Sequence, residues 1–296
     1  MATATTTPAT GAEQVSERPH PSFWQRLSPK ILPAFTALAI GYLMIPIVVM
    51  IVFSFNKPEG KFNYSWNEFS LQGWLHPFDW PGLGEAVQTS IVIALLSTLF
   101  ATILGTMIGL ALTRYDFRGR GALNGLIFLP MATPEIVMGA SLLTLFVATA
   151  LEPLAGKVPT LYPTGFTTIL IAHIMFNISF VVVTVKARLA GFDRRLEEAA
   201  MDLGANELTT FWKVTFPLIL PGIAAAALLA FSLSIDDFVI TNFVSGTTNT
   251  FPIWIYSILR NALPVQINVI GSIIFLGAVA MVGLSSLRSG RAVRVR

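Results

Sequence analysis

The chain reads as an all-α, polytopic membrane protein with six transmembrane helices, and three observations carry that reading. Of its 296 residues 54% are hydrophobic and only 12% charged, and the mean hydropathy is +0.69, far from the balance of a soluble globular domain, in which about a quarter of residues are charged. The apolar residues gather into six runs, at about 31–55, 87–112, 122–150, 166–185, 217–240 and 267–287. Each reaches or approaches the roughly 20 residues a helix needs to cross the hydrocarbon core. Finally, Lys and Arg concentrate in alternate loops, as expected of a chain threaded back and forth through a bilayer.

Taken in order, residues 1–22 are rich in Ala, Thr, Pro and charge and show no apolar periodicity. They are expected to form a disordered cytoplasmic tail, leaving 23–296 as the transmembrane domain. The first run, about 37 Å long as a helix, is too long for the apolar region of a signal peptide and reads as an uncleaved span. The loop after it, about 56–86, carries Trp66, Trp74 and Trp80 with Phe62, Phe69 and Phe78, aromatics suited to anchoring at the membrane interface. Pro130 and Pro134 interrupt the third run, so a kinked or broken helix is expected there. Six spans put both termini on one side. Of the 19 Lys and Arg residues, only Lys57, Lys61, Lys157 and Arg260 fall on the side opposite the termini, which places both ends in the cytoplasm.

Composition also limits function. The net charge of +3 and pI near 9.3 come from residues dispersed through membrane-flanking loops, and no nucleic-acid partner is implied. Cysteine is absent, so disulfides and thiolate metal sites are impossible. His20, His76 and His173 are too scattered for a metal site. No phosphate-binding loop is present: Gly156-Lys157 is followed by Val158 and lacks the upstream glycine. No catalytic triad is visible either, and the chain is expected to be no enzyme.

The loop 193–217 is the one strongly patterned polar stretch between two long apolar runs. Leu196, Ala199, Ala200 and Leu203 fall at helical spacing as one apolar stripe, with Glu197, Glu198 and Asp202 off it. Asp193 is placed to accept hydrogen bonds from the first turn, and Gly204 to end the helix in the left-handed conformation. Asn206 is expected to cap a second short helix, with Glu207 in its first turn and Leu208, Phe211 and Trp212 on one side. Pro217 and Pro221 mark re-entry into an apolar run. A helical loop lying in the lipid interface is the plain alternative. However, Glu198-Ala199-Ala200, Gly204 six residues after the glutamate, and Val214-Thr215-Phe216-Pro217 resemble the EAA loop of ATP-binding-cassette importer permeases. The usual Ile-x-Leu-Pro ending is conservatively changed. In that family the loop is the coupling helix seated in a groove of a separate cytoplasmic ATPase subunit. The resemblance therefore assigns Glu198, Ala199, Ala200, Gly204 and Pro217 to ATPase coupling.

Within the spans the notable charges are all acidic: Glu135 in the third, and Asp236 and Asp237 near the outer end of the fifth, with no Lys or Arg inside any span. A carboxylate in lipid costs at least a few kcal/mol, so it faces a cavity or a partner. The sign points to a cationic solute; pairing with Arg260, pairing with another subunit, or protonation are the alternatives. Along straight helices Glu135 and Asp236 would differ in depth by roughly 9 Å, two anionic levels suited to a linear polycation. Ser232 lies one turn before Asp236, and Ser234 and Thr241 flank Asp237, as two polar stripes along a path. His173 and Asn177 are expected to make helix-to-helix hydrogen bonds.

The segments FSLSIDDFVITNFVSG at 231–246 and FPIWIY at 251–256 resemble the fifth-span region of spermidine/putrescine importer permeases, the second of their two membrane subunits. The resemblance runs from about 32 to 287, most densely over 196–256. It implies the type I importer permease fold and a substrate path that takes in Asp236, Asp237, Glu135, Trp254 and Tyr256. It also implies a second permease subunit, ATPase subunits carrying the ATP and Mg that this chain does not bind, and an extracytoplasmic solute-binding protein that delivers the polyamine. The expected protein is thus a multi-pass subunit of the cytoplasmic (inner) membrane. A permease for another small solute, or an ion-coupled carrier with the acidic residues as a proton relay, is the alternative.

Overall fold

The computed structural model describes residues 23–151 and 164–293. The expected disordered tail at 1–22, and Lys157 with its neighbours, lie outside the described residues. The chain divides into one unit of Ser54–Ile270 and another of Met1–Phe53 with Gly271–Arg296.

The first unit is built on three long helices: α3 (Leu83–Arg114), α6 (Phe166–Ala190) and, later in the chain, α9 (Phe216–Ile235). All three pack on one another. In lipid no hydrophobic drive brings helices together, so close packing of small residues has to do it. A Cβ on Gly105 of α3 would lie 2.6 Å from Val181 Cγ1 of α6, so this approach requires glycine. Ala101, Val181, Val185, Ile219, Ile223, Ala226 and Ala230 fill the space between the three helices.

The third expected span is broken. α4 (Arg120–Ala132) and α5 (Glu135–Leu151) meet at 106°. Pro134 forces the residue before it out of the helical region, and Thr133 is accordingly extended, at φ −78° and ψ 130°. Glu135 is the first residue of α5 and exposed, so it sits at a helix break rather than about 13 residues into a continuous span. The 9 Å depth difference, which assumed straight helices, therefore does not hold.

Between α6 and α9 lie α7 (Arg195–Asp202), α8 (Glu207–Thr210) and a π turn at Phe211–Thr215. α8 runs through that turn into α9, so the apolar helix begins before Pro217, at Glu207. The backbone N–H of Phe216 reaches back five residues to Phe211, a widening placed just before Pro217, which has no N–H to donate. The expected fifth span ends early, at Ile235 instead of residue 240. After the break at Asp236–Phe238 come α10 (Val239–Val244) and α11 (Phe251–Ile258).

The segment before α3, which contains the short α2 (Gln72–Leu75), is held by side chains. Asn56 donates to Asn63 Oδ1 at 2.6 Å and the Ser65 carbonyl at 2.7 Å, and accepts from the Asn67 N–H at 2.8 Å. Phe55 stacks on Phe69 and Trp74, and the Trp74 indole N–H donates to Ser54 Oγ at 3.1 Å. Trp74 is thus committed to this knot, while Phe62, Trp66, Phe69 and Phe78 stay exposed.

The second unit holds α1 (Phe23–Phe53) and most of α12 (Val265–Val293), close at Gly271 and Met50. Among the described residues, four helices are long and apolar enough to cross a membrane: Ile31–Phe53, Leu83–Arg114, Phe166–Ala190 and Glu207–Ile235. The bent pair can supply a fifth span; the apolar part of the last helix, Val265–Ala280, is shorter. Length and composition thus mark four to five of the six expected spans among the described residues.

Candidate functional site

The loop 193–217 is built as its residues dictate. Asp193 Oδ1 accepts from the Arg195 N–H at 3.0 Å. At the other end of α7 the Gly204 N–H bonds to the Met201 carbonyl and the Ala205 N–H to that of Ala200, with Gly204 at φ +89°. That paired closure is the one a left-handed glycine makes possible. Asn206 Oδ1 then caps α8 by accepting from the Thr209 N–H at 2.8 Å. The faces are distributed unexpectedly. Glu198, Ala199 and Gly204 are exposed and Ala200 half-buried, and apolar side chains project outward, with Leu203 90%, Leu208 68% and Trp212 56% exposed. Glu197, by contrast, is buried, bonded to Arg114 at the end of α3 and to Thr215 at the start of α9. The amphipathic helix thus turns its apolar stripe out and a carboxylate in.

The second cluster lies where α9 stops. Asp236 closes α9 and is exposed; Asp237 is not. Asp237 Oδ2 accepts from the Thr241 N–H at 2.8 Å and the Thr241 hydroxyl at 2.7 Å, and stands 3.3 Å from His173 Nε2. The His173 and Asp237 side chains are only 4% and 6% exposed. The other ring nitrogen, His173 Nδ1, is 2.7 Å from Ser234 Oγ, which is 2.9 Å from Ser97 Oγ of α3. A polar chain thus ties α3, α6 and α9 to the helix break. Ser234 and Thr241 belong to this chain rather than to an open stripe. His173 makes the expected interhelical bonds; neither amide atom of buried Asn177 has a protein partner.

The remaining site residues separate. Tyr256 is exposed and its ring lies 4.9 Å from that of Phe238, the residue after Asp237. Trp254 is buried, and its indole N–H donates to the Pro81 carbonyl at 3.0 Å. α5, headed by Glu135, packs on α10 through Met138, Leu142 and Phe146 against Ile240 and Val244.

Sequence reasoning missed Glu197, Arg114 and Thr215 as a junction and His173 as the buried neighbour of Asp237. Nothing in the local pattern joins residues 83 apart, as Arg114 and Glu197 are.

Residues 101–293 match the family model described as the binding-protein-dependent transport system inner membrane component. The chain belongs to this family of transport permeases. Among relatives, it is 37% identical over 86% of its own length and 94% of the other to the spermidine/putrescine transport system permease protein PotC of Haemophilus influenzae. It is likewise 37% identical to the putrescine transport system permease protein PotI of Escherichia coli, over 83% of this permease and 85% of that one. The fold is that of a chain in the crystal structure of a bacterial ABC transporter involved in the import of the acidic polysaccharide alginate, with TM-score 0.68 at 16% identity, covering 90% of this permease and 98% of that chain. The permease is a multi-pass protein of the inner membrane.

Proposed function

We propose that this permease is one membrane subunit of an ATP-driven importer that carries polyamines such as spermidine and putrescine into the cytoplasm. The observation carrying the reading is the exposed Asp236 at a broken helix, two residues before Phe238, whose ring packs against that of Tyr256, in a chain similar to permeases named for polyamines. In this reading both termini and α7 lie on the cytoplasmic side. An extracytoplasmic binding protein delivers the substrate, and ATPase subunits that hold ATP and Mg dock on the exposed face of Glu198, Ala199, Leu203 and the Gly204 turn. A second permease subunit completes the path. The chain itself binds no cofactor and catalyses no reaction. Asp236 and Tyr256 meet the substrate's ammonium groups, Glu135 adds charge at the neighbouring break, and Asp237 and Trp254 hold the backbone around them.

The test is uptake by the assembled complex in proteoliposomes, with spermidine, putrescine, an amino acid and a neutral sugar compared at several concentrations. Saturable, ATP-dependent uptake of the two polyamines is expected. Saturable uptake of the sugar or amino acid instead would move the cargo to another class, and uptake driven by a proton gradient without ATP would make the chain an ion-coupled carrier.

A further inference from the structure

Glu197 is the point of interest. Leu196 and Met201 of α7 and Leu203 just after it are exposed, so these large apolar side chains do not fasten that helix to the bundle. Polar ties do. Arg194 donates to the Thr113 carbonyl at 2.9 Å, and the Glu197 side chain, 12% exposed, accepts from Arg114 and from the Thr215 hydroxyl on the same oxygen, Oε1. Arg114 is the last residue of α3, and its guanidinium carbon lies 6.0 Å from the centre of the Phe192 ring, in the connection leaving α6. Thr215 is fully buried at the entry to α9. One carboxylate oxygen therefore joins α7 to the ends of the two helices, α3 and α9, whose Ser97 and Ser234 are tied to the Asp237 break.

We propose that the Arg114–Glu197–Thr215 junction is the link through which displacement of α7 is passed to α3 and α9, making Glu197 and Arg114 positioning residues for transport, separate from the exposed face that docks. The inference rests on the importer reading above. With Glu197 12% and Arg114 26% exposed, removing either partner leaves a largely buried charge uncompensated, and coupling between elements is carried by such hydrogen-bond and salt-bridge networks.

The test separates linkage from stability. Single variants Glu197→Ala and Arg114→Ala strand a buried charge and are expected to lower the melting temperature of the complex. The double variant Arg114→Met/Glu197→Leu removes both charges at similar volume, which is expected to restore stability. In that double variant the ATPase subunits should co-purify and basal ATP hydrolysis should persist, while stimulation by the binding protein and uptake fall roughly tenfold. If the double variant regains stimulation and uptake along with stability, the junction is only a structural contact and the inference is overturned. Failure of the double variant to assemble would overturn it too, by assigning the junction to folding. Wild-type complex is the control on the underlying reading. If it binds no ATPase subunit, the importer assignment fails; if it is coupled normally and the double variant equally so, only the junction fails.

Discussion

Two adjacent aspartates have opposite surroundings. Asp237 is committed to Thr241 and His173 in a nearly dry site, whereas Asp236 is exposed. Losing a charge-assisted hydrogen bond costs about 1.5–3 kcal/mol, so Asp236→Asn is expected to raise the half-saturation concentration for polyamine roughly tenfold to a hundredfold. Asp237→Asn should behave differently. Asp237 Oδ2 accepts two hydrogen bonds from Thr241 in a buried site, and each bond to a charged group contributes about 1.5–3 kcal/mol, so that variant should lose assembled complex while what survives keeps near-normal half-saturation. Uptake normalised to assembled complex distinguishes the two, and the reversed pattern would transfer the binding role to Asp237. The acidic residues themselves were legible, because charge inside an apolar run stands out. Which one is exposed was not, because that depends on where the backbone breaks and on His173, more than sixty residues earlier in the chain.

At the scale of elements, legibility followed the range of the forces involved. The turns around Gly204 and Asn206 were readable because capping is local: a carboxylate, a glycine and an asparagine each act within a few residues. The break before α5 was readable from Pro134 for the same reason. The break after Ile235 was not, since no proline or glycine marks residues 236–238 and the distortion is held by the distant imidazole. The direction in which α7 turns its stripe was equally hidden: periodicity defines a face but not what the face meets. Gly204 then gives a direct test of the docking loop. At φ +89°, with nothing within 4 Å of an added Cβ, a side chain there meets backbone strain and no steric clash. Gly204→Val should therefore tilt α7 against α8 at a cost of about 1–2 kcal/mol, leaving membrane insertion intact. Its expected effect is weakened co-purification of the ATPase subunit and reduced uptake. Full transport with wild-type ATPase association would show that the turn does not set the docking surface.

For the molecule as a whole the span count carries the topology. Six runs were visible in composition, but composition does not say whether two helices meeting at 106° traverse the bilayer or turn back within it. The choice decides which side α7 faces. If α4 and α5 together make one crossing, four crossings separate residue 22 from α7, and the loop lies on the cytoplasmic side with the N-terminus. If the pair turns back, three crossings put α7 outside, where no ATP-hydrolysing partner could reach it. The distribution of Lys and Arg favours the first, and so does the exposed apolar face of α7. Because the natural chain contains no cysteine, single-cysteine reporters have no background. Asp202→Cys in α7 and Glu59→Cys in the segment after α1 are both at exposed positions. A membrane-impermeant maleimide applied to intact spheroplasts should label only Glu59→Cys, and applied to inverted vesicles only Asp202→Cys. Labelling of both from the same side would make the α4–α5 pair re-entrant and would remove the coupling role of α7 along with the topology on which it depends.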